Sequence, residues 1–87
     1  MYYLYIIKSR KYQRRIYIGS TNNLEERIKQ HNLGDTKSTR YGISWKLVYY
    51  EAFLSKSDCL SRERNLKKFS SSYGHLKKRI KDSLDRA

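Results

Sequence analysis

YYLYII (residues 2–7), KSRKYQ (8–13) and RRIYIG (14–19) follow one another directly near the start of the chain, and their reading decides the fold. The first run is rich in tyrosine and isoleucine, residue types that fit a pleated surface. It is apolar on both faces, which predicts a strand over Tyr2 to Lys8 in a central, two-sided position. Lys8 to Gln13 is polar and turn-like, and Arg14 to Gly19 resumes as a second strand, so the pair predicts a hairpin. Side chains alternate along a strand. Tyr3, Tyr5 and Ile7 therefore share one face of the first strand, and Arg15, Tyr17 and Gly19 share one face of the second, with Ile16 and Ile18 on the other.

Working outward, Asn22 followed by Glu25 has the form of a capping box, and Gly34 is a C-terminal stop for the helix between. On that helix Leu24 and Ile28 form the core stripe, with Arg27 and His31 as a second pair one turn apart beside it. Gly34 to Ser44 is polar and basic, with room for a short helix, and Trp45 to Phe53 reads as a third strand. Ser55 and Asp58 open a helix running to about Phe69. Ser70 to Ser72 open a last helix whose buried side carries Tyr73, Leu76, Ile80 and Leu84. No proline, repeat or low-complexity stretch interrupts the pattern, so one mixed α/β domain over residues 1–87, built around a three-stranded sheet, is expected.

Eighty-seven residues supply one modest core and leave no room for a cofactor-binding domain beside a substrate domain. The longest apolar run, Tyr2 to Ile7, is far short of the ~20 residues of a membrane span. A basic leader with a cleavage site is not present, and no membrane partner is expected. Cys59 is the only cysteine, which excludes an internal disulfide and a CxxC metal knuckle and suits the reducing cytoplasm. With only His31 and His75 besides, a structural zinc site is not expected.

Twenty Lys and Arg against eight Asp and Glu give a net charge of +12. The charge is clustered: five basic residues and no acid from Lys8 to Arg15, and eight basic residues with one acid, Glu63, from Arg62 to Lys81. Two such clusters and nine tyrosines point to a nucleic-acid phosphate surface. Contacts are expected at Lys37 and Arg40 and at Lys67, Lys68, Lys77 and Lys78.

Glu63 is out of place for packing. It lies one turn after Cys59, in the stripe that Cys59, Leu66 and Phe69 define. A carboxylate facing a core must be paired or must bind a metal. The pattern leaves two readings open, a salt bridge (Arg27 being a candidate partner) or a ligand to Mg²⁺, which commonly takes one or two carboxylates and keeps its waters. Arg27 and His31 are also open to two readings: a surface pair, or a planar fork for phosphoryl oxygens beside a residue that relays protons near neutrality. Tyrosine ionises near pH ~10, so it serves as a base only where cations favour the phenolate. The common hydrolase motifs, H-E-x-x-H and G-x-S-x-G, do not occur.

Taken in order, Tyr3-Leu4-Tyr5, Tyr17-Ile18-Gly19, Thr21-Asn22-Asn23-Leu24 leading to Arg27 and His31, and Arg62-Glu63 in a later helix resemble the GIY-YIG endonucleases. The likeness runs from about Tyr2 to Ile80 and is nearest to the small stand-alone bacterial members, related to the N-terminal nuclease domain found in the ABC excinuclease. The sequence departs from the pattern at Tyr3 and Leu4, where the first motif has glycine and isoleucine, and at Ser20, where some members carry lysine. The resemblance implies a three-stranded antiparallel sheet flanked by helices, and metal-dependent hydrolysis of phosphodiesters. It implies Tyr17 as general base with Tyr5 assisting by hydrogen bonding, and Arg27 as phosphate clamp. It implies Glu63 as the single protein ligand to Mg²⁺ or Mn²⁺, and His31 as a supporting proton relay.

The leading expectation is thus a DNA endonuclease of low sequence specificity acting in repair or recombination, with RNA and branched junctions as further substrate candidates. A non-cleaving nucleic-acid-binding module using the same basic surface is the alternative. An interaction protein docking an acidic partner is a third.

Overall fold

The computed structural model describes residues 1–86. Strands β1 (Tyr2–Ser9), β2 (Ile16–Thr21) and β3 (Trp45–Phe53) form one antiparallel sheet in the order β2-β1-β3. Helix α1 (Leu24–Leu33) and a 3-10 helix (Lys37–Gly42) lie between β2 and β3, and α2 (Lys56–Lys68), α3 (Ser70–Arg79) and α4 (Lys81–Asp85) follow. This is the expected mixed α/β fold, with the doubly apolar first strand in the centre. No helix among the described residues is long and apolar enough to cross a membrane.

Alternation along β1 makes two cores. Leu4 and Ile6 join Ile18 beneath α2, α3 and α4, where Cys59, Leu66, Leu76, Ile80 and Leu84 complete an aliphatic layer. Tyr5 and Ile7 turn the other way, towards α1 and Trp45, with Tyr17, Leu24, Ile28, Ile43 and Leu47 around them. Tyr5 pairs with Gly19 across the β1–β2 ladder and Ile7 with Tyr17, so the motif residues of both strands share the α1 face.

Several boundaries differ from the sequence reading, each for a local reason. Strand β2 starts at Ile16 because Ser9 Oγ accepts from the amides of Lys11 and Tyr12 and draws the connection into a tight loop that leaves Arg14 and Arg15 exposed. The N-cap of α1 is Asn23, not Asn22: Thr21 Oγ1 accepts from the Asn23 amide, and Asn23 Oδ1 then accepts from the Glu26 amide. Gly34 closes α1 in the left-handed region at φ 81°. Ser55 caps α2 as expected, by accepting from the Asp58 amide. Phe69 does not continue the inward stripe. It leaves the helix in an extended conformation, and the residue is 47% exposed. The expected last helix is two, because Ile80 departs from helical backbone (φ −111°, ψ 21°), yet Leu76, Ile80 and Leu84 are all buried.

The stretch that gave no clear reading, 34–44, is fixed by Trp45. Its indole N–H donates to Thr39 O at 2.7 Å, and its ring covers Gly42 so closely that a Cβ there would lie 2.5 Å from Cζ2. Asn32 of α1 grips the Trp45 backbone at both its N–H and its carbonyl (2.6 and 3.0 Å), which ties the start of β3 to α1.

Candidate active site

Tyr5 stands at the centre of the α1 face, 1% exposed, and its hydroxyl lies 2.7 Å from Nε2 of the fully buried His31. Nδ1 of His31 lies 2.8 Å from Thr39 Oγ1, and that hydroxyl donates to Thr36 O at 3.3 Å. Since Thr39 has one proton to give, this network assigns Nδ1–H as the donor to Thr39 and leaves Nε2 to accept from Tyr5. Burial pushes the Tyr5 phenol up to about 12, the neighbouring Arg27 guanidinium offsetting only part of it. Burial, with Arg27 second, lowers His31 to about 4. Both groups are therefore neutral at pH 7, with Tyr5 locked as a donor and His31 as its acceptor.

Gly19 makes this arrangement possible. A Cβ at that position would sit 2.5 Å from the Tyr5 hydroxyl oxygen and 3.1 Å from Cε1 of Tyr17. The glycine of the Tyr-Ile-Gly motif is required by contact between two strand tyrosines.

Tyr17 is only half-buried. Its ring centroid lies 6.3 Å from that of Tyr5 and 5.1 Å from that of His31, and the Lys67 ammonium stands 5.5 Å from its centroid. Its hydroxyl makes no protein hydrogen bond among the described residues, so water reaches it. Lys67 also binds Glu63 Oε2 at 2.7 Å, while Ser20 Oγ donates to Glu63 Oε1 at 2.6 Å. Burial acts to raise the Glu63 carboxyl, but the hydrogen bonds from Lys67 and Ser20 outweigh it and hold the group below the usual carboxylate range. It is ionised at neutral pH. Arg27, half-buried, is braced by Nη1 donating to Gln30 Oε1 at 3.0 Å, and its charge is felt by both Tyr5 and His31.

Tyr5, Tyr17 and His31 are thus brought into contact, Glu63 is linked to Tyr17 through Lys67, and Arg27 flanks the group. Two readings of Glu63 need correction. It does not face the core but sits at the rim, its side chain 19% exposed where α2 passes edge strand β2, and its ionic partner is Lys67, not Arg27. The six expected nucleic-acid contacts lie on three different elements. Lys67 lies at the site; Lys68 sits near Phe69; Lys37 and Arg40 lie on the 3-10 helix, where Arg40 Nε donates to Gly34 O. Lys77 and Lys78 line a groove between α3–α4 and the hairpin, on the sheet face opposite Tyr5 and Tyr17.

A divalent ion is compatible with this donor set. Among the described residues no group of three His, Cys, Asp or Glu gathers, so Glu63 would be a lone carboxylate ligand, which suits an ion that retains its waters. Glu63 Oε2 already holds a cation, the ammonium of the half-exposed Lys67, on a flexible stem able to move aside.

Ser20, Gln30 and Thr39 hold the site residues; the sequence reading marks Ser20 only as a departure from the motif and assigns no role to Gln30 or Thr39. Ser20 had a signal, being a polar residue on the same strand face as Ile16 and Ile18. Thr39 had none, since 34–44 shows no periodicity.

Residues 1–82 match the family model of the GIY-YIG catalytic domain. The chain is similar to a UPF0213 protein of Clostridium perfringens, 46% identical over 71 residues that cover 80% of this chain and 74% of that protein. A UPF0213 protein of Staphylococcus haemolyticus is 41% identical over 70 residues (79% and 83%), and one of Haloquadratum walsbyi 34% identical over 70 residues (79% and 76%). No solved structure matches it.

Proposed function

This chain belongs to the GIY-YIG family of nucleases, and from that premise we propose that it is a divalent-metal-dependent DNA endonuclease of low sequence specificity, serving repair or recombination in the cytoplasm. The observation that carries this reading is the Tyr17–Lys67–Glu63–Ser20 chain set against the Tyr5–His31 pair. A surface evolved only to hold DNA needs cations; it needs no ionised carboxylate beside a water-accessible phenol.

The roles follow from protonation and access. Tyr17 is the base: its hydroxyl is open to water and takes the proton of the attacking water, with the Lys67 ammonium 5.5 Å from its ring centroid. Tyr5 is not the base, since its proton is committed to His31 and burial holds its phenol at about 12. Its part, with His31 as the neutral acceptor behind it, is to hold the aromatic platform on which Tyr17 rests. The buried His31 does not exchange protons with solvent directly, so any relay runs through the Tyr5 hydroxyl. Arg27 clamps the phosphoryl oxygens with its planar fork. Glu63 would hold Mg²⁺ or Mn²⁺, steadied by the Ser20 hydroxyl once Lys67 moves aside. Such an ion, when bound, supplies Lewis-acid charge at the scissile phosphate.

Incubation of supercoiled plasmid with and without Mn²⁺ or Mg²⁺ tests the reading, with Glu63→Ala as the control. Nicking is expected only with metal and is expected to vanish in the variant. Because Glu63 pairs with an exposed lysine at the rim, its loss should cost stability only about 1 kcal/mol or less, and DNA affinity should persist. Cleavage by a folded Glu63→Ala protein would remove Glu63 as the metal ligand. DNA retention without cleavage by the wild type would establish the binding module instead.

A further inference from the structure

The loop between β1 and β2 is pinned to the 3-10 helix. Ser9 Oγ donates to Gly42 O at 2.6 Å while it accepts from the amides of Lys11 and Tyr12. The Arg10 amide donates to Ser44 O and the Arg15 amide to Tyr12 O, both at 2.8 Å. This anchoring sets Tyr12 beside Tyr41, with ring centroids 5.9 Å apart and planes at 35°. Tyr41 in turn meets the buried Trp45 edge-on at 6.1 Å. Yet Tyr12 and Tyr41 are 46% and 47% exposed, and neither ring joins either hydrophobic core. Packing within the chain therefore does not account for two firmly placed aromatic rings half in water.

The second observation is the charge around the pair. The Lys11 ammonium stands 5.4 Å from the Tyr12 centroid. Arg10, Arg14 and Arg15 share its loop, Lys37 and Arg40 share the 3-10 helix with Tyr41, and all five are exposed. None of these cations pairs with a carboxylate among the described residues. The location is also informative. Trp45 belongs to the layer of Tyr5 and Tyr17, its indole donates to Thr39 O, and Thr39 meets His31. The ring pair thus lies at the margin of the layer that holds the candidate site.

We propose that Tyr12 and Tyr41 form a stacking platform for unpaired bases. The inference rests on the endonuclease reading and adds the substrate class: single-stranded DNA, its phosphates met by the loop cations and its bases by the two rings. Every base has a π-face, so such a platform takes any of them, in keeping with low sequence specificity. Inside a duplex those faces are covered by neighbouring base pairs, and a protein ring reaches one only where the base is unstacked. An acidic peptide would meet the same cations, but its carboxylates give the rings nothing to stack on.

The test compares three labelled ligands by fluorescence anisotropy in EDTA, which separates binding from cleavage: a short single strand of mixed sequence, the same strand with every base removed, and the blunt duplex. Tyr12→Ala removes one ring, Tyr12→Trp restores a flat face there, and Tyr41→Leu keeps an apolar cover on Trp45 without one. Thermal melting confirms that the variants fold. Tyr12→Ala is expected to weaken the base-bearing strand by about 5- to 150-fold, with the abasic strand and the duplex within about twofold of wild type. Tyr41→Leu should act in the same direction, and Tyr12→Trp should bind as wild type does. An unchanged affinity for the base-bearing strand, an equal loss on the abasic strand or the duplex, or displacement of the strand by polyglutamate of equal charge would each overturn the proposal. If the wild type nicks plasmid with metal while Tyr12→Ala keeps its single-strand affinity, the platform falls and the endonuclease reading stands. If nothing is cut yet the loss appears on the base-bearing strand alone, the platform stands and the endonuclease reading falls. If the wild type binds none of the three, both fall.

Discussion

Leu4 and Ile6 point from β1 into a layer of aliphatic side chains and a buried thiol, whereas Tyr5, between them, points into hydroxyls, an imidazole and the bare backbone of Gly19. Eight residues of one strand therefore serve two purposes. The aliphatic face is held by burial, which is non-directional and tolerates exchange among similar shapes. The tyrosine face depends on donors and acceptors meeting one to one. No buried side-chain nitrogen or oxygen among the described residues lacks a partner, although Ser9, Tyr5, His31 and Thr39 are all buried there or at its margin. Stability resides mainly in the aliphatic face; the tyrosines and His31 lie on the other, and Glu63 with Ser20 completes the site from the aliphatic side at the β2 edge, so substitutions deep in each layer should separate the two.

The widest separation is expected at Tyr17. Phenylalanine keeps the ring against His31 and beneath Lys67 but removes the proton acceptor, so cleavage of plasmid should slow by about 10²- to 10⁴-fold while the melting temperature barely moves. Tyr5→Phe should behave differently. It leaves Nε2 of a buried histidine without its partner, costing roughly 1–3 kcal/mol in denaturant titrations, and should slow cleavage less than Tyr17→Phe. Wild-type cleavage by Tyr17→Phe would make the phenol a strand residue and nothing more.

The aliphatic face should give the converse. Ile6→Ala empties the middle of the layer under α2 and α3 and should cost about 2–5 kcal/mol, with the cleavage rate per folded molecule unchanged. A rate loss in the folded fraction would show that the two faces are mechanically coupled.

How far these faces could be read in advance follows from the same contrast. Period-two alternation placed both tyrosines and Gly19 on one side correctly, because a strand's geometry is local. The third strand also has its expected ends, Trp45–Phe53. What failed were choices between near-equal local options. Asn22 and Asn23 both qualify as caps, and the Thr21 hydroxyl decides between them. Phe69 fits the helical stripe until the chain leaves α2. At the site, Glu63 was conspicuous, and its partner at Lys67 carried the ordinary i,i+4 spacing of a helix ion pair. A long-range candidate, Arg27, displaced that simpler pairing. Thr39 was beyond reach, since its role depends on Trp45 folding the 34–44 stretch back onto His31.

A subtler distinction concerns acid. His31 is held at about 4 in the folded chain against an ordinary value of 6.5, so the folded form refuses a proton that the unfolded chain accepts between those values. Stability must therefore fall as pH drops from 6.5 towards 4, by up to ~3 kcal/mol for a shift of this size. Glu51 and Glu63, whose carboxyls are depressed, lose their contributions as pH falls through their folded values, so part of any acid loss is theirs. The difference between wild type and His31→Gln isolates the histidine: the variant starts less stable and should lack the slope above about pH 5. Parallel curves would mean that His31 is protonated in place and that the Tyr5 hydrogen bond runs in the opposite sense.

The smallest expected effect has the opposite sign and lies on the aliphatic side of the sheet, at Gly74. Alanine there should raise stability by about 0.5–1 kcal/mol, because α3 gains a better helix former and the new methyl meets no atom within 4 Å beyond its chain neighbours and the helix's own backbone. Thermal melting at fixed ionic strength measures it, and cleavage of linear duplex should not change, since Gly74 contacts none of Tyr5, Tyr17, Arg27, His31 and Glu63. A stabilising substitution so readily available at a helix interior implies that something other than stability keeps glycine there. If Gly74→Ala instead destabilises the chain, the helix needs the glycine for its own backbone, and the division of labour between the two faces would then extend one element less far than the contacts suggest.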